Sequence, residues 1–162
     1  MQHVAYISLG GNIEPRAQTL IRALSLLDDY EGISVRRISQ LIETEPEGGP
    51  AEQGKFLNGA AVLFTDLTAE ELLDALHEVE AQLGRHRESE KRWGPRTCDL
   101  DLLLFDDVIV DSEELTIPHP RMHERLFVLR PLAEIAGDVI HPILHKSVSE
   151  LLADLEQQDD EI

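Results

Sequence analysis

Asp99 and Asp101 stand two residues apart at the head of a run that is otherwise apolar, Asp99-Leu100-Asp101-Leu102-Leu103-Leu104-Phe105. On an extended strand alternate side chains share a face, roughly 6.5–7 Å apart along the chain. The two carboxylates then lie together, with Leu100, Leu102 and Leu104 on the opposite face. Carboxylates set side by side repel one another unless a cation lies between them. Hard divalent ions take such oxygen ligands, and magnesium completes its shell with water and substrate phosphates. A pair of metals about 3.5–4 Å apart could share both groups. The alternative is a pair of solvated acids on an edge strand. The apolar run that follows favours an interior strand, where unpaired acids are costly.

Arg92 and Arg96 come just before this pair. Guanidinium groups bind phosphate oxygens at two points and stay charged at any working pH, so the combination is a plausible triphosphate clamp. Trp93 either anchors a polar loop or stacks on a substrate. Glu80 falls beside the apolar stripe of a helix, either at the rim of the core or reaching a ligand. Pro118-His119-Pro120-Arg121-Met122-His123 supplies His119 as a phosphate donor; a zinc site would need more ligands. Gly10-Gly11-Asn12 and Gly48-Gly49-Pro50 match no glycine-rich phosphate loop, which leaves arginines and metal to hold the phosphates. Asn58 should share a face with Phe56, and a buried amide beside a ring suits a flat heterocycle.

The overall balance, 32 acidic against 14 basic residues and a formal net charge of -18, argues against duplex DNA or anionic lipid as the main partner. Yet Arg85, Arg87, Lys91, Arg92 and Arg96 cluster in one stretch, and Arg121, Arg125 and Arg130 in another. They are either locally salt-bridged or line a small-anion pocket in an anion-repelling surface. No apolar run approaches a membrane span, the start lacks the regions of a signal peptide, and the one cysteine, Cys98, suits a reducing compartment. A cytoplasmic protein is expected.

The elements that must position these residues follow from periodicity. A strand over residues 3–9 leads through a turn at Gly10-Gly11-Asn12 to a helix over residues 16–29, with Leu20, Leu24 and Leu27 on one face. A second strand covers residues 33–42, a long polar loop residues 43–55, and a third strand residues 56–64. Thr68 and Glu71 form a capping box for a helix carrying Leu72, Leu76, Val79 and Leu83, which Gly84 ends. A polar loop over residues 85–95 precedes a fourth strand over residues 97–105. Short pieces follow at residues 108–110 and 115–117. A last helix starts at Ser147, with Glu150 completing a second capping box, and ends near Leu155, leaving residues 156–162 as a frayed acidic tail. The order strand, helix, strand, strand, helix, strand predicts an α+β, ferredoxin-like βαββαβ domain. Its sheet is mainly antiparallel with helices on one face and an extra C-terminal helix, all within a single domain, residues 1–162.

These residues together resemble the 6-hydroxymethyl-7,8-dihydropterin pyrophosphokinase family of folate biosynthesis. The resemblance is carried by Ser8-Leu9-Gly10-Gly11-Asn12, Phe56-Leu57-Asn58, and Arg92-Trp93-Gly94-Pro95-Arg96-Thr97-Cys98-Asp99-Leu100-Asp101. It continues in Pro118-His119-Pro120-Arg121-Met122-His123-Glu124-Arg125 and Pro131-Leu132-Ala133-Glu134-Ile135. It implies transfer of the terminal pyrophosphate of ATP to the pterin hydroxymethyl group, releasing AMP, by a monomer. It also implies two magnesium ions on Asp99 and Asp101, and catalytic roles for Arg85 and Arg96. Glu80, Arg87, Arg92, Trp93, His119 and Arg125 would surround the nucleotide. Phe56 and Phe127 would hold the pterin, with Thr44, Glu47 and Asn58 around it. The two polar loops would close over the substrates. Glu47 and Gly54-Lys55 depart from the family pattern, the loop over residues 85–95 is slightly longer, and the acidity, which fits a salty cytoplasm, is no family trait.

Overall fold

The computed structural model describes residues 2–45, 54–84 and 98–160. In chain order these form β1 (His3–Gly11), α1 (Arg16–Asp29), β2 (Ile33–Ile38), β3 (Ile42–Thr44), β4 (Phe56–Thr65) and α2 (Ala69–Gln82). Then come β5 (Asp99–Phe105), β6 (Val110–Asp111), β7 (Thr116–Ile117), a 3-10 turn at Met122–Glu124, α3 (Leu126–Ala136) and α4 (Val148–Asp160). Five strands make one sheet in the order β2-β4-β1-β5, with β3 also on β4, and every pairing is antiparallel. This is the expected split βαβ arrangement, since β4 lies between β1 and β2 and β1 lies between β4 and β5. β6 and β7 form a separate small ribbon.

Alternation along the strands gives the sheet two buried faces. Ala5, Ile7 and Leu9 of β1 pack with Leu20, Leu24 and Leu27 of α1 and Leu72, Leu76 and Val79 of α2. On the other face Val4 and Tyr6 meet Val128, Leu129 and Leu132 of α3 and Val148 and Leu151 of α4. The helices of the split βαβ unit thus pack on one face as expected. The opposite face is covered by α4 and by α3, a helix that periodicity had not picked out. Pro131 lies inside α3, and an interior proline reads locally as a helix breaker because it removes a backbone donor.

The capping boxes form as expected. Glu71 N–H donates to Thr68 Oγ1 at 3.1 Å and Thr68 N–H to Glu71 Oε1 at 2.9 Å. Ser147 and Glu150 repeat the pattern at 3.0 and 3.1 Å. Gly84 follows α2 with φ +90, a left-handed conformation that stops the helix.

Five expectations are corrected. Gly10 and Gly11 belong to β1 rather than to a turn. The edge of the sheet along β4 is two strands, β2 and β3, interrupted where Ser39 takes over: its Oγ accepts from Ala60 N–H at 2.8 Å and its own N–H donates to Ala60 O at 2.9 Å. Glu43 and Thr44 accordingly lie in a strand, not in the polar loop. The helix begun at Ser147 runs to Asp160, past Leu155. Finally, the β1–β5 register shifts between Tyr6/Leu104 and Ile7/Leu102, so Leu103 bulges. Leu100 and Leu102 pack on the α1–α2 face, but Leu104 lies with α3 and α4. A bulge inserts one residue and reverses the alternation beyond it. The stretches 46–53 and 85–97, which hold most of both expected polar loops, are outside the described residues. Among the described residues no helix is long and apolar enough to cross a membrane.

Leu72 is fully buried in the core, so Leu72→Ala should lower unfolding free energy by about 2–5 kcal/mol. Thr68→Ala, which removes a cap, should lower it by about 1 kcal/mol. Urea denaturation monitored by circular dichroism measures both.

Candidate active site

The pairing of β1 with both neighbours assembles one surface. Gly10 pairs with Asn58 of β4 and with Asp99 of β5; Ser8 pairs with Ala60 and with Asp101. Asn58, Gly10 and Asp99 therefore form one row across the sheet, and Ala60, Ser8 and Asp101 the next. Both rows lie on the face that α3 and α4 cover further along. Asp99 and Asp101 are partly exposed while Leu100 and Leu102 are buried behind them, which is the shared carboxylate face expected from spacing.

Gly10 is required here by close approach. A Cβ at that position would stand 2.7 Å from Asn58 Oδ1. Asn58 is buried, 6% exposed, and its Nδ2 donates to Thr44 Oγ1. Thr44 is itself paired with Phe56 across β3 and β4. Thr44, Phe56 and Asn58 are thus held as one group.

Glu80 is buried against the apolar side of α2. It is 1% exposed in the last turn of α2, and its Oε2 accepts the Leu100 backbone N–H at 2.7 Å. Further along β5, the His119 N–H donates to Leu103 O at 2.9 Å. The outer strand carrying the two aspartates is therefore held at its free edge on either side of Asp101.

The His119 side chain lies close enough to Asp99 and Arg125 to feel both. Its Nδ1 accepts from Arg121 N–H at 3.2 Å, which leaves Nε2 to carry the ring proton. Burial, and then the positive charge of Arg125, push its pKa down to about 4, against the opposing pull of Asp99. At neutral pH His119 is a neutral imidazole with one N–H donor.

Phe127 opens α3, partly buried, with the Arg125 guanidinium 5.5 Å from its ring centroid. Thr44, Arg125, Phe127, Arg130 and Leu155 line an open cleft of about 390 Å³; Phe56 and Asn58 do not line it. Of the second arginine cluster, Arg121 pairs with Glu124 and Arg130 with Glu156, each at 3.5 Å, as the salt-bridge alternative expects. Arg125 lies over the Phe127 ring and near enough to His119 to lower its pKa.

The structure therefore brings Asp99, Asp101, His119 and Arg125 to one end of the sheet face, with Thr44, Phe56 and Asn58 on β3 and β4 beside them. Glu47, Arg85, Arg87, Arg92, Trp93 and Arg96 lie outside the described residues. Periodicity missed Arg16, whose Nη1 donates to Lys55 O at 3.0 Å and Nη2 to Glu43 Oε1 at 2.8 Å. It also missed the Asn12 Nδ2 bond to Gly54 O at 3.0 Å. These bonds tie the ends of β3 and β4 to the start of α1. Asn12 belonged to a quoted motif, but nothing local marked Arg16 as more than the first residue of a helix.

Among the described residues no group of three or more His, Cys, Asp or Glu could cage a metal. The two aspartates alone still fit magnesium, which binds through one or two carboxylates and takes the rest of its shell from phosphates and water.

Comparison with known proteins gives a consistent picture. The family described as 7,8-dihydro-6-hydroxymethylpterin-pyrophosphokinase (HPPK) matches residues 6–137. The 2-amino-4-hydroxy-6-hydroxymethyldihydropteridine pyrophosphokinase of Bacillus subtilis is 48% identical over 139 residues, covering 86% of this chain and 81% of that one. The protein of the same name from Pseudomonas aeruginosa is 45% identical over 141 residues, covering 85% and 83%. Among solved structures, wild-type Plasmodium falciparum HPPK-DHPS with pteroate superposes with a TM-score of 0.78 at 15% identity, over 98% of this chain. The chain spans only 43% of that longer protein, and at this identity the likeness shows the fold.

Gly10→Ala should displace the Asn58 side chain, seen as a shift of its side-chain amide resonances, with the rest of the spectrum largely unchanged. A second expectation concerns pH. His119 is lowered from 6.5 to about 4, and His141 is lowered by burial and by His123 and His145. A base whose pKa is depressed by folding leaves the folded state with fewer protons than the unfolded chain. Stability should therefore rise with pH between about 4 and 6.5. The advantage in urea midpoint of wild type over His119→Asn should shrink or reverse sign as pH falls through that window.

Proposed function

The chain belongs to the 7,8-dihydro-6-hydroxymethylpterin-pyrophosphokinase family, and from that membership we propose that it transfers pyrophosphate from ATP to the hydroxymethyl group of 6-hydroxymethyl-7,8-dihydropterin in folate biosynthesis. The observation that carries this reading is the shared sheet face. The carboxylate pair of Asp99 and Asp101 and the amide of Asn58 flank Gly10 and Ser8 of the same strand.

In the reaction the hydroxymethyl oxygen attacks the β-phosphorus of ATP in line. A bond forms from that oxygen to phosphorus, the bond to the AMP oxygen breaks, and the hydroxyl proton is lost. Such a transfer needs alignment and charge neutralisation more than covalent help. Asp99 and Asp101 would hold magnesium, two ions in this reading, whose charge offsets that on the phosphates. His119 offers a neutral N–H donor, and Arg125 a fixed positive charge beside it. Arg85 and Arg96 are assigned to the reacting phosphates, and Arg87, Arg92 and Trp93 to the rest of the nucleotide.

The pterin is assigned to Phe56, Asn58, Thr44, Glu47 and Phe127. Asn58 is buried and already oriented by Thr44, so little freedom is lost when it binds a heterocycle edge. Phe56 and Phe127 supply ring faces for stacking. The polypeptide 1–162 acts as a single domain, as a monomer, in the cytoplasm.

Mixing the protein with ATP, magnesium and hydroxymethyldihydropterin should release AMP only when pterin is present; release of ADP or free phosphate would overturn the reading. Asp99→Asn and Asp101→Asn should each lower kcat by on the order of 10²–10³ with the fold retained. Phe127→Ala should raise the pterin KM by roughly two- to tenfold, the loss of one aromatic stacking partner, and leave the KM for ATP nearly unchanged.

A further inference from the structure

Glu80 is a carboxylate placed where a protein rarely puts one. It is 1% exposed on the buried side of α2, beside Val79 and Leu76. Taking a charge from water is unfavourable unless hydrogen bonds replace the lost hydration. Its Oε2 receives one from Leu100 N–H at 2.7 Å, a charge-assisted bond stronger than the neutral bonds of a sheet ladder. Leu100 is the residue between Asp99 and Asp101, and its own side chain is 1% exposed on the opposite face. Among the described residues, β5 ends the order of the main sheet and is hydrogen-bonded there only to β1. At Leu100, the Glu80 carboxylate occupies the position of a neighbouring strand's carbonyl.

We propose that Glu80 is a positioning residue for the aspartate pair, acting through the Leu100 amide to fix the backbone of β5 and so the placing of both carboxylates. This rests on Asp99 and Asp101 holding the metal. The family resemblance places Glu80 by the nucleotide; here it acts instead on the strand, through the Leu100 amide rather than by touching metal or nucleotide. The dependence is mechanical. Both aspartates are joined by one peptide unit each to the residue that Glu80 holds, and a misplacement of about 1 Å in a phosphoryl-transfer site costs on the order of 10²-fold in rate.

Two variants separate the bond from the charge. Glu80→Gln keeps an acceptor oxygen at the same reach and loses the charge. Glu80→Asp keeps the charge and withdraws it by one methylene. Hydrogen exchange of the Leu100 amide is followed by NMR in the ligand-free protein, and binding of Mn²⁺ with a non-hydrolysable ATP analogue by calorimetry. For Glu80→Gln the Leu100 amide should stay protected, and metal affinity and kcat should remain within about threefold of wild type. For Glu80→Asp the amide should exchange at least about tenfold faster. Its metal affinity should fall by roughly 10–100-fold, the range for groups that orient metal ligands, with the pterin KM unchanged.

Loss of metal and nucleotide binding in Glu80→Gln while Leu100 stays protected would show direct ligand contact and overturn the proposal. So would wild-type affinity in Glu80→Asp with Leu100 unprotected. Failure of the metal assignment itself looks different: wild type would bind no Mn²⁺ although its Leu100 amide is protected.

Discussion

Gly10 stands between Asn58 of β4 and Asp99 of β5, at a point where a single added carbon would lie 2.7 Å from Asn58 Oδ1. Interior strands normally carry branched or aromatic residues that pack against their neighbours. Here the last two positions of this face of β1 are a serine and a glycine. The sheet surface is left open between the carboxylate pair on one side and the buried amide on the other. The same register sets the offset between them. On the proposed assignment, a heterocycle bound at Asn58 and phosphates bound at the aspartates would lie two strands apart, on one rigid support.

The two faces of the sheet carry different duties. Under α1 and α2 the face is mainly apolar, and its close packing fixes the strands relative to one another. Under α3 and α4 the apolar cluster includes Ala60, Val62 and Leu104, and the remaining length of the face carries polar groups. The bulge at Leu103 marks this division on β5, with aspartates before it and Leu104 after it on the same side. Polar side chains along this boundary have partners that hold them in place. Asn58 is bonded to Thr44, and from behind the sheet Glu80 of α2 holds the Leu100 amide. His119 is kept neutral by burial and by Arg125, so its N–H can donate a hydrogen bond to an anion without adding a charge of its own to the interior.

Much of this was legible in the residues. Steps of three and four placed the stripes of α1 and α2. Thr68 with Glu71, and Ser147 with Glu150, marked two helix starts, because a capping box is satisfied within four consecutive residues. The two-residue spacing of Asp99 and Asp101 placed both on one face for the same local reason. The pterin and the pyrophosphoryl transfer came from motif resemblance, since no spacing rule distinguishes one heterocycle or one phosphate chain from another.

What the sequence by itself determined was therefore most of the elements, though not α3 or the break between β2 and β3, together with their order, the shared face of the aspartates and the family. The tertiary structure decided the rest: which residues flank Gly10, where the bulge turns Leu104 to the other face, and how α3 folds through Pro131 onto the sheet. It also decided that Glu80 meets Leu100, that His119 comes near Asp99, and that Arg16 reaches Glu43 and Lys55. Each of these depends on groups far apart in the chain meeting at hydrogen-bonding or contact distance. Local periodicity carries no record of such meetings, because strand register and long-range burial are settled only when the whole sheet packs.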